Sequence, residues 1–524
     1  MHGCAVVGKD VKRAIVNLAK LGFVIWGQGS REVTEFARVL GFLRSLAMTR
    51  SFVSVIASTL IFFLTFLLIL GSPARAQQSS AASNTITDAS RAEVVHFLTD
   101  LVKIDTSNPP GNEVKAANYI KAVLDKEGIA SEIFESAPGR GNIVARLKGN
   151  GSKRPLLLMG HLDVVGVERD KWTVDPFAAV MKDGYLYGRG SRDDKAMDAA
   201  NLEVFLELYR RKIALDRDVI LLAEAGEEGT TQYGIDFMVA QHWDKIECEY
   251  VLNEGGGLHE TNGKVDYLSV GTTEKAPRAM ILVARGSSGH ASMPRLDNPI
   301  AHLGVAVGKL LTWQPPMRLN ETTREYFSRL AKISSSEDAY LYTHLEETAV
   351  QQKLAANKIS QNSMLRTSIV PTIIKGGFRV NVIPADAEAT LDVRALPDEN
   401  VDELMATLRK VINDPEIEVV RGDKLNDRPA GAPSSIHSEM FQALERAQAK
   451  LFPGAVTLPT MGTGATDSAQ LRAKGVQAYG IGPPSSDDNS LRVHGNDERV
   501  RLEGVDQFVE YLYTAVVDVA ASKK

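Results

Sequence analysis

The chain has 524 residues, a formal net charge of −5 and 44% hydrophobic residues. A mildly acidic chain lacks the excess of lysine and arginine with which proteins bind nucleic acid, so we expect no nucleic-acid partner. The length also exceeds what one hydrophobic core usually supports, which indicates two domains or one domain with a large insertion.

The N-terminal region has the pattern of an export signal. Arg50 precedes an apolar run over residues 51–70, and the small-residue site Ala74-Arg-Ala76 follows. This pattern predicts a signal peptide over residues 48–76 that is cleaved after Ala76. We therefore expect an exported protein, periplasmic or extracellular. The alternative is a membrane anchor over residues 52–70, because the apolar run is long enough to cross a bilayer.

A methionine at position 48 offers a later start, so residues 1–47 are interpreted as an upstream extension. Residues 1–76 carry nine basic and three acidic residues, and without them 51 basic and 62 acidic residues remain, a net charge of −11. Cys248 is then the one cysteine left. An exported chain with one thiol has no internal disulfide, so we expect its metal ligands to be histidine and carboxylate groups rather than thiolates.

The mature part begins with two predicted helices, one from about Asp88 and one over residues 113–127, each with apolar residues at helical spacing. Short apolar runs then alternate with amphipathic stretches, which is typical of an α/β domain with a largely buried sheet. These runs predict strands at 156–159, 219–222 and 250–252, and helices at 197–209 and 235–239. We assign residues 88–272 to the first part of this domain.

The order of elements changes at about residue 273. Strands and helices follow as βαββαβ, which predicts an inserted ferredoxin-like domain over residues 273–423. Its predicted elements are strands at 278–284, 368–374, 378–393 and 416–420, and helices at 299–311 and 401–412. A long, charged and mostly helical segment at 317–360 is interpreted as an insertion. Residues 424–524 return to the first domain, with helices near 438–451 and from 504, and a strand near 476–480.

Several predicted strands stop at side chains that commonly bind metals. The run over residues 155–160 ends at His161-Leu-Asp163, and the later stops are Asp193, Glu227-Glu228, Glu254 and His494. In an open α/β sheet, ligands gather beyond the carboxyl ends of the strands. Imidazole and carboxylate groups suit a divalent ion, and five ligands are more than one tetrahedral zinc needs. We therefore predict two metal ions that share one carboxylate, with Asp193 as the natural bridge because backbone donors at a helix start can orient it.

Two further roles follow from neighbouring positions. Asp163 lies two residues after His161, so it faces the same side of the strand and can accept a hydrogen bond from the imidazole. Glu227 and Glu228 are adjacent and cannot both face one metal. One is expected to bind it, while the other acts as general base beside the metal-bound water. Spacing alone leaves open which glutamate has which role.

From about residue 90 onward, a set of motifs identifies a family. They are His161-Leu-Asp163, Asp175-Pro-Phe177, Tyr187-Gly-Arg-Gly-Ser-Arg-Asp-Asp-Lys195, Glu227-Glu-Gly229, Asn253-Glu-Gly255 and His494-Gly495. Together they resemble the dinuclear zinc peptidases that include carboxypeptidase G, carboxypeptidase S, aminoacylase and succinyl-diaminopimelate desuccinylase. The resemblance implies a zinc-peptidase-like catalytic domain with a mainly parallel central sheet. It also implies that the inserted ferredoxin-like domain serves as a lid and dimerisation domain.

The resemblance further implies two Zn²⁺ ions per chain, for which Co²⁺ or Mn²⁺ can substitute. It assigns Asp193 as the bridging ligand, His161 and Glu254 to one ion, Glu228 and His494 to the other, Glu227 as general base and Asp163 as the residue that orients His161.

Three residues of the predicted lid also match the family. His290 resembles a histidine that, in dimeric members, reaches the partner subunit's site and helps to hold the scissile carbonyl oxygen. Asn381 and Arg394 resemble a pair that grips substrate, and arginine suits bidentate capture of a terminal carboxylate. The loop at 462–467 corresponds to one that lines the substrate pocket, and it lacks the lysine of a phosphate-binding loop.

The sequence therefore predicts an exported dinuclear zinc hydrolase of the carboxypeptidase or dipeptidase type, which acts on peptides with a free carboxylate. The alternative within enzymes is a deacylase of N-acyl amino acids. A more distant alternative is a non-catalytic binding protein with the same fold, which the loss of a ligand or of the base would mark. We expect a homodimer that contacts membrane only through its signal or anchor.

Overall fold

The computed structural model describes residues 85–261, 263–424, 427–484 and 492–523. The predicted signal peptide, the alternative anchor and the upstream extension all lie outside these ranges. Within them, no helix combines the length and the apolar character that crossing a membrane requires.

Short strands alternate with helices along the described chain. The strands are β1 (Ser107–Asn108), β2 (Ser131–Ala137), β3 (Arg140–Leu147), β4 (Leu156–His161), β5 (Val164–Val165), β6 (Val180–Lys182), β7 (Tyr185–Tyr187), β8 (Val219–Glu224), β9 (Tyr250–Asn253), β10 (Gly257–Thr261), β11 (Lys264–Glu274), β12 (Ala276–Pro277), β13 (Met280–Arg285), β14 (Gly289–His290), β15 (Ser368–Gly376), β16 (Val382–Ile383), β17 (Asp386–Ala395), β18 (Ile417–Arg421), β19 (Val456–Gly462), β20 (Gln477–Gly480) and β21 (Arg499–Arg501). The helices are α1 (Asp88–Lys103), α2 (Glu113–Lys126), α3 (Lys195–Arg210), α4 (Ile235–Gln241), α5 (Trp243–Ile246), α6 (Pro299–Thr312), α7 (Glu321–Ile333), α8 (Ser336–Thr343), α9 (Thr348–Asn357), α10 (Ile359–Met364), α11 (Val401–Ile412), α12 (Glu439–Leu451), α13 (Ser468–Ala473) and α14 (Leu502–Ala520).

The central sheet has the strand order β10-β11-β20-β9-β4-β8-β3-β2, and β19 pairs with β11. The middle strands β20, β9, β4 and β8 run parallel to one another. The outer strands β2, β3 and β10 pair antiparallel with their neighbours. The predicted α/β class is therefore confirmed, with parallel pairing in the middle of the sheet and again between β11 and β19.

Both faces of this sheet are covered. Every residue of β4 and of β8 is buried, as expected for continuous apolar runs in parallel strands. Alternate residues face opposite layers: Leu156 and Leu158 join the core formed with α1, α2, α3, α12 and α14. Leu157 and Met159 join the smaller core formed with α4 and α5. Because successive side chains of a strand point to opposite faces of the sheet, the single apolar run of β4 contributes to both cores.

Helix α3 is the most deeply buried helix that borders the site. Nearly all of its residues from Lys195 to Leu208 are buried, and it packs against α1, α14 and β4. Because α3 begins directly after Asp193 and Asp194, its packing fixes where these two carboxylates lie.

A second, antiparallel sheet contains β18, β13, β17 and β15 in that spatial order, with β12 also beside β17. Helices α6 and α11 pack on one of its faces. The four main strands of this sheet and its two helices follow one another along the chain as β13, α6, β15, β17, α11 and β18, with β12 before them and β14, β16 and the helical segment between them as further elements. The predicted strand at 378–393 is wrong in its first part, since β17 begins only at Asp386. Pro384 has no backbone N–H to continue a ladder, and β16 before it pairs with β14 instead.

The predicted insertion at 317–360 contains α7, α8 and α9 and the start of α10, which continues to Met364. Its apolar residues, including Phe327 and Leu354, share a core with Leu458 and Met461 of β19. The segment interrupts the second sheet in sequence, yet its core is shared with the edge of the central sheet. Sequence order therefore gave no indication of where these helices pack.

Candidate metal centre

The residues at the predicted strand ends converge at one edge of the central sheet. His161 is the last residue of β4, Glu254 follows β9, and Glu227 and Glu228 lie shortly after β8. These three strands are neighbours and run parallel, so their carboxyl ends meet at the same edge.

Two groups of potential metal ligands share Asp193. One group contains His161, Asp193 and Glu254, and the other contains Asp193, Glu228 and His494; within each, one ligand atom per residue lies within 4.8 Å of the others. Asp193 Oδ1 is 3.1 Å from His161 Nε2, whereas Asp193 Oδ2 is 3.1 Å from His494 Nε2. His494 Nε2 also lies 2.9 Å from Glu228 Oε1. The structure thus brings together all five predicted ligands and points one oxygen of Asp193 at each group.

The charges of the two groups fit divalent cations. Burial raises the pKa of Glu254 well above its usual range, and the nearby carboxylates of Glu227 and Asp193 raise it further. Hydrogen bonds with Asp193 and Glu228 raise the pKa of His494 to about 10. Without a metal ion, protons on these side chains thus offset the clustered negative charge. A divalent cation that binds there would displace those protons. Imidazole nitrogen with carboxylate oxygen is a donor set that suits zinc, cobalt or manganese.

Asp163 organises the loop that carries the two glutamates. Its Oδ1 accepts hydrogen bonds from the backbone N–H groups of Gly226 and Glu227, at 2.9 and 3.1 Å. Its Oδ2 accepts from Glu228 N at 3.1 Å and from Asn108 Nδ2 at 2.7 Å. His161 Nδ1 lies 3.0 Å from the backbone carbonyl oxygen of Asp163 and 3.6 Å from its Oδ1. The carboxylate therefore holds the Glu227 loop, and the backbone carbonyl is the closer partner of the imidazole.

Glu227 lies beside Arg428 and Asp467. Neither of these two residues is among the predicted site residues. Arg428 Nη2 is 3.7 Å from Glu227 Oε1 and 3.9 Å from Asp467 Oδ1. Burial raises the pKa of Glu227 well above its usual range, and the Asp467 charge raises it further. Asp467 ends the glycine-rich loop at 462–467, which offered a signal for it, whereas Arg428 lies far from every motif. Thr466 of the same loop donates to Glu274 Oε2 at 2.8 Å.

The three predicted substrate residues make their contacts outside these ligand groups. His290 is exposed on β14, with its Nδ1 2.7 Å from Ser292 Oγ. Asn381 is also exposed, and its backbone carbonyl oxygen accepts a hydrogen bond from Ala291 N at 3.1 Å. Arg394 lies on β17, where its guanidinium binds Asp392 at 2.8 Å. No hydrogen bond or ion pair among the described residues joins these three side chains to the ligand groups.

A mixed α/β sheet with two histidine–carboxylate groups at the ends of its parallel strands is the construction of a metal-dependent hydrolase. Residues 157–518 match the Peptidase family M20/M25/M40, and the chain belongs to this family. The predicted resemblance and the predicted enzyme class are both confirmed by this match.

Individual relatives agree with the family. The chain is 30% identical over 389 residues to a probable carboxypeptidase S-like 2 protein of Dictyostelium discoideum, covering 71% of this chain and 73% of the relative. It is 26% identical over 442 residues to the N-fatty-acyl-amino acid synthase/hydrolase PM20D1 of Xenopus tropicalis, covering 81% and 86%. The fold is similar to that of the M20 family metallo-carboxypeptidase Sso-CP2 from Sulfolobus solfataricus, with a TM-score of 0.62, 20% identity and coverage of 81% and 98%.

Proposed function

We propose that this hydrolase binds two zinc ions and cleaves amide bonds of peptides that carry a free C-terminal carboxylate. The observation that carries the proposal is the position of Asp193, whose two oxygens face two separate histidines at 3.1 Å each. One carboxylate oriented in this way suits a bridge between two cations. In this proposal His161 and Glu254 complete one metal site, and Glu228 and His494 complete the other. Cobalt or manganese can replace zinc because the donor set is the same.

Glu227 is the proposed general base. Its side chain is mostly buried, with 11% exposed, beside Arg428, and Asp163 holds its backbone in place. The bound cations would polarise the scissile carbonyl and lower the pKa of water. Glu227 would take the proton from the attacking water and deliver it to the leaving nitrogen, a role that requires a carboxylate within hydrogen-bond reach of both.

This proposal is tested by measuring the hydrolysis of a panel of dipeptides and N-acyl amino acids. Each substrate is assayed before chelation, after chelation and after zinc is restored. We expect hydrolysis of substrates with a free carboxylate, loss of that activity with chelator, and recovery with two zinc ions per chain. An unchanged rate in metal-free protein would overturn the zinc mechanism. Saturation at one ion per chain would overturn the dinuclear site.

An N-acyl amino acid deacylase is the second candidate. The relative from Xenopus tropicalis is named as an N-fatty-acyl-amino acid synthase/hydrolase, and such substrates also present an amide bond next to a free carboxylate. The same panel separates the two candidates, because a deacylase prefers N-acyl amino acids over dipeptides with the same C-terminal residue. A non-catalytic binding protein is disfavoured, since the ligands and the proposed base are all present.

The second sheet, within residues 273–423, is proposed as a lid and dimerisation domain. Strand β15 pairs on one side with β17, and most of its residues are exposed. Ile373, Ile374, Phe378 and Val380 add exposed apolar side chains along this edge, between 51% and 98% exposed. An open strand edge with apolar side chains is a ready surface for pairing with a second copy. In a homodimer, His290 of one subunit could also reach the metal site of the other subunit.

Export is proposed from the pattern at residues 48–76. Expression of the complete chain followed by N-terminal sequencing tests it, and we expect the mature protein to begin at Gln77 in the soluble exported fraction. A protein that keeps its apolar run and remains in the membrane fraction would instead support the anchor at residues 52–70.

A further inference from the structure

One buried carboxylate lies behind the proposed metal site. Glu498 has 1% of its side chain exposed. Its Oε2 accepts hydrogen bonds from Arg189 Nη1 at 2.6 Å and from Gly190 N at 3.1 Å. Its Oε1 accepts from the backbone N–H groups of Arg192 at 2.9 Å and Asp193 at 3.2 Å. This carboxylate therefore fixes the loop before α3, including the backbone of Asp193 itself.

Arg189 extends the same contact to the second loop. Its Nη2 donates to the carbonyl oxygens of Gly495 at 2.9 Å and His494 at 3.3 Å. The guanidinium carbon lies 5.2 Å from the ring centre of Trp172, which covers one face of the group. Glu498 also accepts a hydrogen bond from Gly188 N through its backbone oxygen, at 2.9 Å. One ion pair thus contacts both loops that carry Asp193 and His494.

Asp193 and His494 both lie outside the strands and helices, so contacts from other residues must hold their loops in place. His161 ends β4, whereas Asp193 lies between β7 and α3 and His494 lies before β21. His494 has a φ of 61°, a left-handed conformation that is unfavourable for a residue with a Cβ. Its side chain is 51% exposed, so packing holds it only weakly. The contacts of Arg189 with the carbonyl oxygens of His494 and Gly495 therefore restrain the backbone at this position.

We propose that Glu498 and Arg189 are positioning residues that hold Asp193 and His494 in place for metal binding. The inference rests on the proposed metal site. It adds that the affinity of the Asp193–Glu228–His494 group for its metal ion depends on a buried ion pair that does not itself bind the metal. Buried partners of metal ligands commonly change metal affinity by about 10-fold to 100-fold when they are altered.

Two variants test the proposal. Glu498→Gln keeps the shape of the side chain but loses the charge and half of its acceptor capacity. Arg189→Lys keeps the charge but cannot donate to Glu498 and to two carbonyl groups at once, because an ammonium lacks the planar fork. We expect both zinc ions to bind more weakly in each variant, because Asp193 belongs to both ligand groups. The larger loss, about 10-fold to 100-fold, is expected for the ion held by Asp193, Glu228 and His494, measured by competition with a chromophoric chelator.

A Co²⁺ titration supplies a readout that loss of stability alone would not change. The absorption bands of the more weakly bound Co²⁺ are expected to shift in both variants, because His494 changes position. Glu207→Gln is the matched control: Glu207 is a buried carboxylate, 6% exposed, that pairs with Arg211 and accepts from Ser90 Oγ. We expect it to lower the thermal midpoint while leaving both metal affinities and the Co²⁺ spectrum unchanged.

The outcomes separate this inference from the proposed function. A wild-type chain that binds no divalent metal overturns the metal site and, with it, this proposal. Two ions bound with wild-type affinity in Glu498→Gln or Arg189→Lys overturn the positioning role alone. If Glu498→Gln does not fold, Arg189→Lys decides, because it keeps the buried charge pair.

Discussion

Glu227 and Glu228 are adjacent in sequence, yet their side chains have different surroundings and different proposed roles. Glu228 Oε1 lies 2.9 Å from His494 Nε2 within a ligand group, while Glu227 Oε1 lies 3.7 Å from Arg428 Nη2. Both backbone N–H groups bind the carboxylate of Asp163, so the backbone is fixed and the side chains diverge. Spacing alone left open which glutamate binds metal, and this geometry supports Glu228.

Replacing each glutamate by alanine should separate these roles. We expect Glu227→Ala to keep both metal ions and lose about two or more orders of magnitude in rate, because the proton acceptor is lost. Glu228→Ala should instead lose one metal ion, since a ligand is removed. Metal content by atomic absorption and turnover on the same samples measure both effects. Near-normal turnover in Glu227→Ala would remove it from the role of base.

Arg394 is predicted to act on the substrate carboxylate. Its guanidinium is partly exposed and binds Asp392, so a substrate would compete with that pair. We expect Arg394→Ala to lower kcat/KM by about 10-fold to 100-fold on peptides with a free C-terminus, the size of a lost charged hydrogen bond. Amidated peptides should be unaffected.

Arg285→Ala is the control for that experiment. Arg285 lies in the same sheet, with 69% of its side chain exposed and Glu418 as its partner. It should leave both substrates unchanged. An equal loss on free and amidated peptides in Arg394→Ala would contradict carboxylate recognition.

At the scale of elements, β4 and β8 show what apolar patterning predicts well. Both are fully buried strands that end at or shortly before site residues. Continuous apolar runs of this length indicate parallel strands that are covered on both faces. The opposite case is β15, whose apolar residues lie at an open sheet edge. Its sequence predicts a strand, but only the sheet order shows that, among the described residues, β15 pairs on one side alone.

A charged side chain on β15 should disrupt the proposed dimer. Ile374 is 65% exposed, so Ile374→Lys should cost little stability in the single chain, while lysine at a strand edge opposes pairing with another strand. We expect light scattering to give the mass of one chain for this variant and of two chains for the wild type. Met181→Lys, on β6 where Met181 is 50% exposed, should keep the wild-type mass. A wild-type chain that is already monomeric would contradict the dimer.

At the scale of the whole molecule, Lys275 gives a dependence of stability on pH. It is fully buried and donates to Ser363 Oγ at 3.2 Å and Ser368 Oγ at 3.0 Å. Burial, together with the charges of Arg394 and Arg366, lowers its pKa to about 8. In the unfolded chain the pKa is about 10.4. Between these values the unfolded state binds more protons, so the contribution of Lys275 to the free energy of unfolding rises with pH.

Lys275→Met should remove that rise. Between pH 7 and pH 9.5, the stability of the variant relative to wild type should fall by roughly 2 kcal/mol, because one pKa unit corresponds to about 1.36 kcal/mol. Urea unfolding at both pH values measures it. Lys121→Met removes a lysine on α2 that pairs with Asp125 at the surface, and its difference from wild type should stay constant. A constant difference for Lys275→Met would contradict the buried charge.

The sequence by itself determined the α/β class, the positions of the central strands β4, β8, β9 and β20, and the identity of the five candidate ligands. These follow from local patterns: apolar runs, helical spacing, and His161, Asp193, Glu228, Glu254 and His494 within short motifs. Local patterns carry this information because a strand and the loop after it are contiguous in the chain.

Only the tertiary structure decided contacts between distant segments. Arg428 beside Glu227, Glu498 beneath Asp193, and the helical insertion against β19 each join residues far apart in sequence. The contacts of Asp163 illustrate the same point, since its carboxylate binds a loop more than sixty residues away. Such contacts depend on how layers pack, and packing is a property of the whole fold rather than of any single segment.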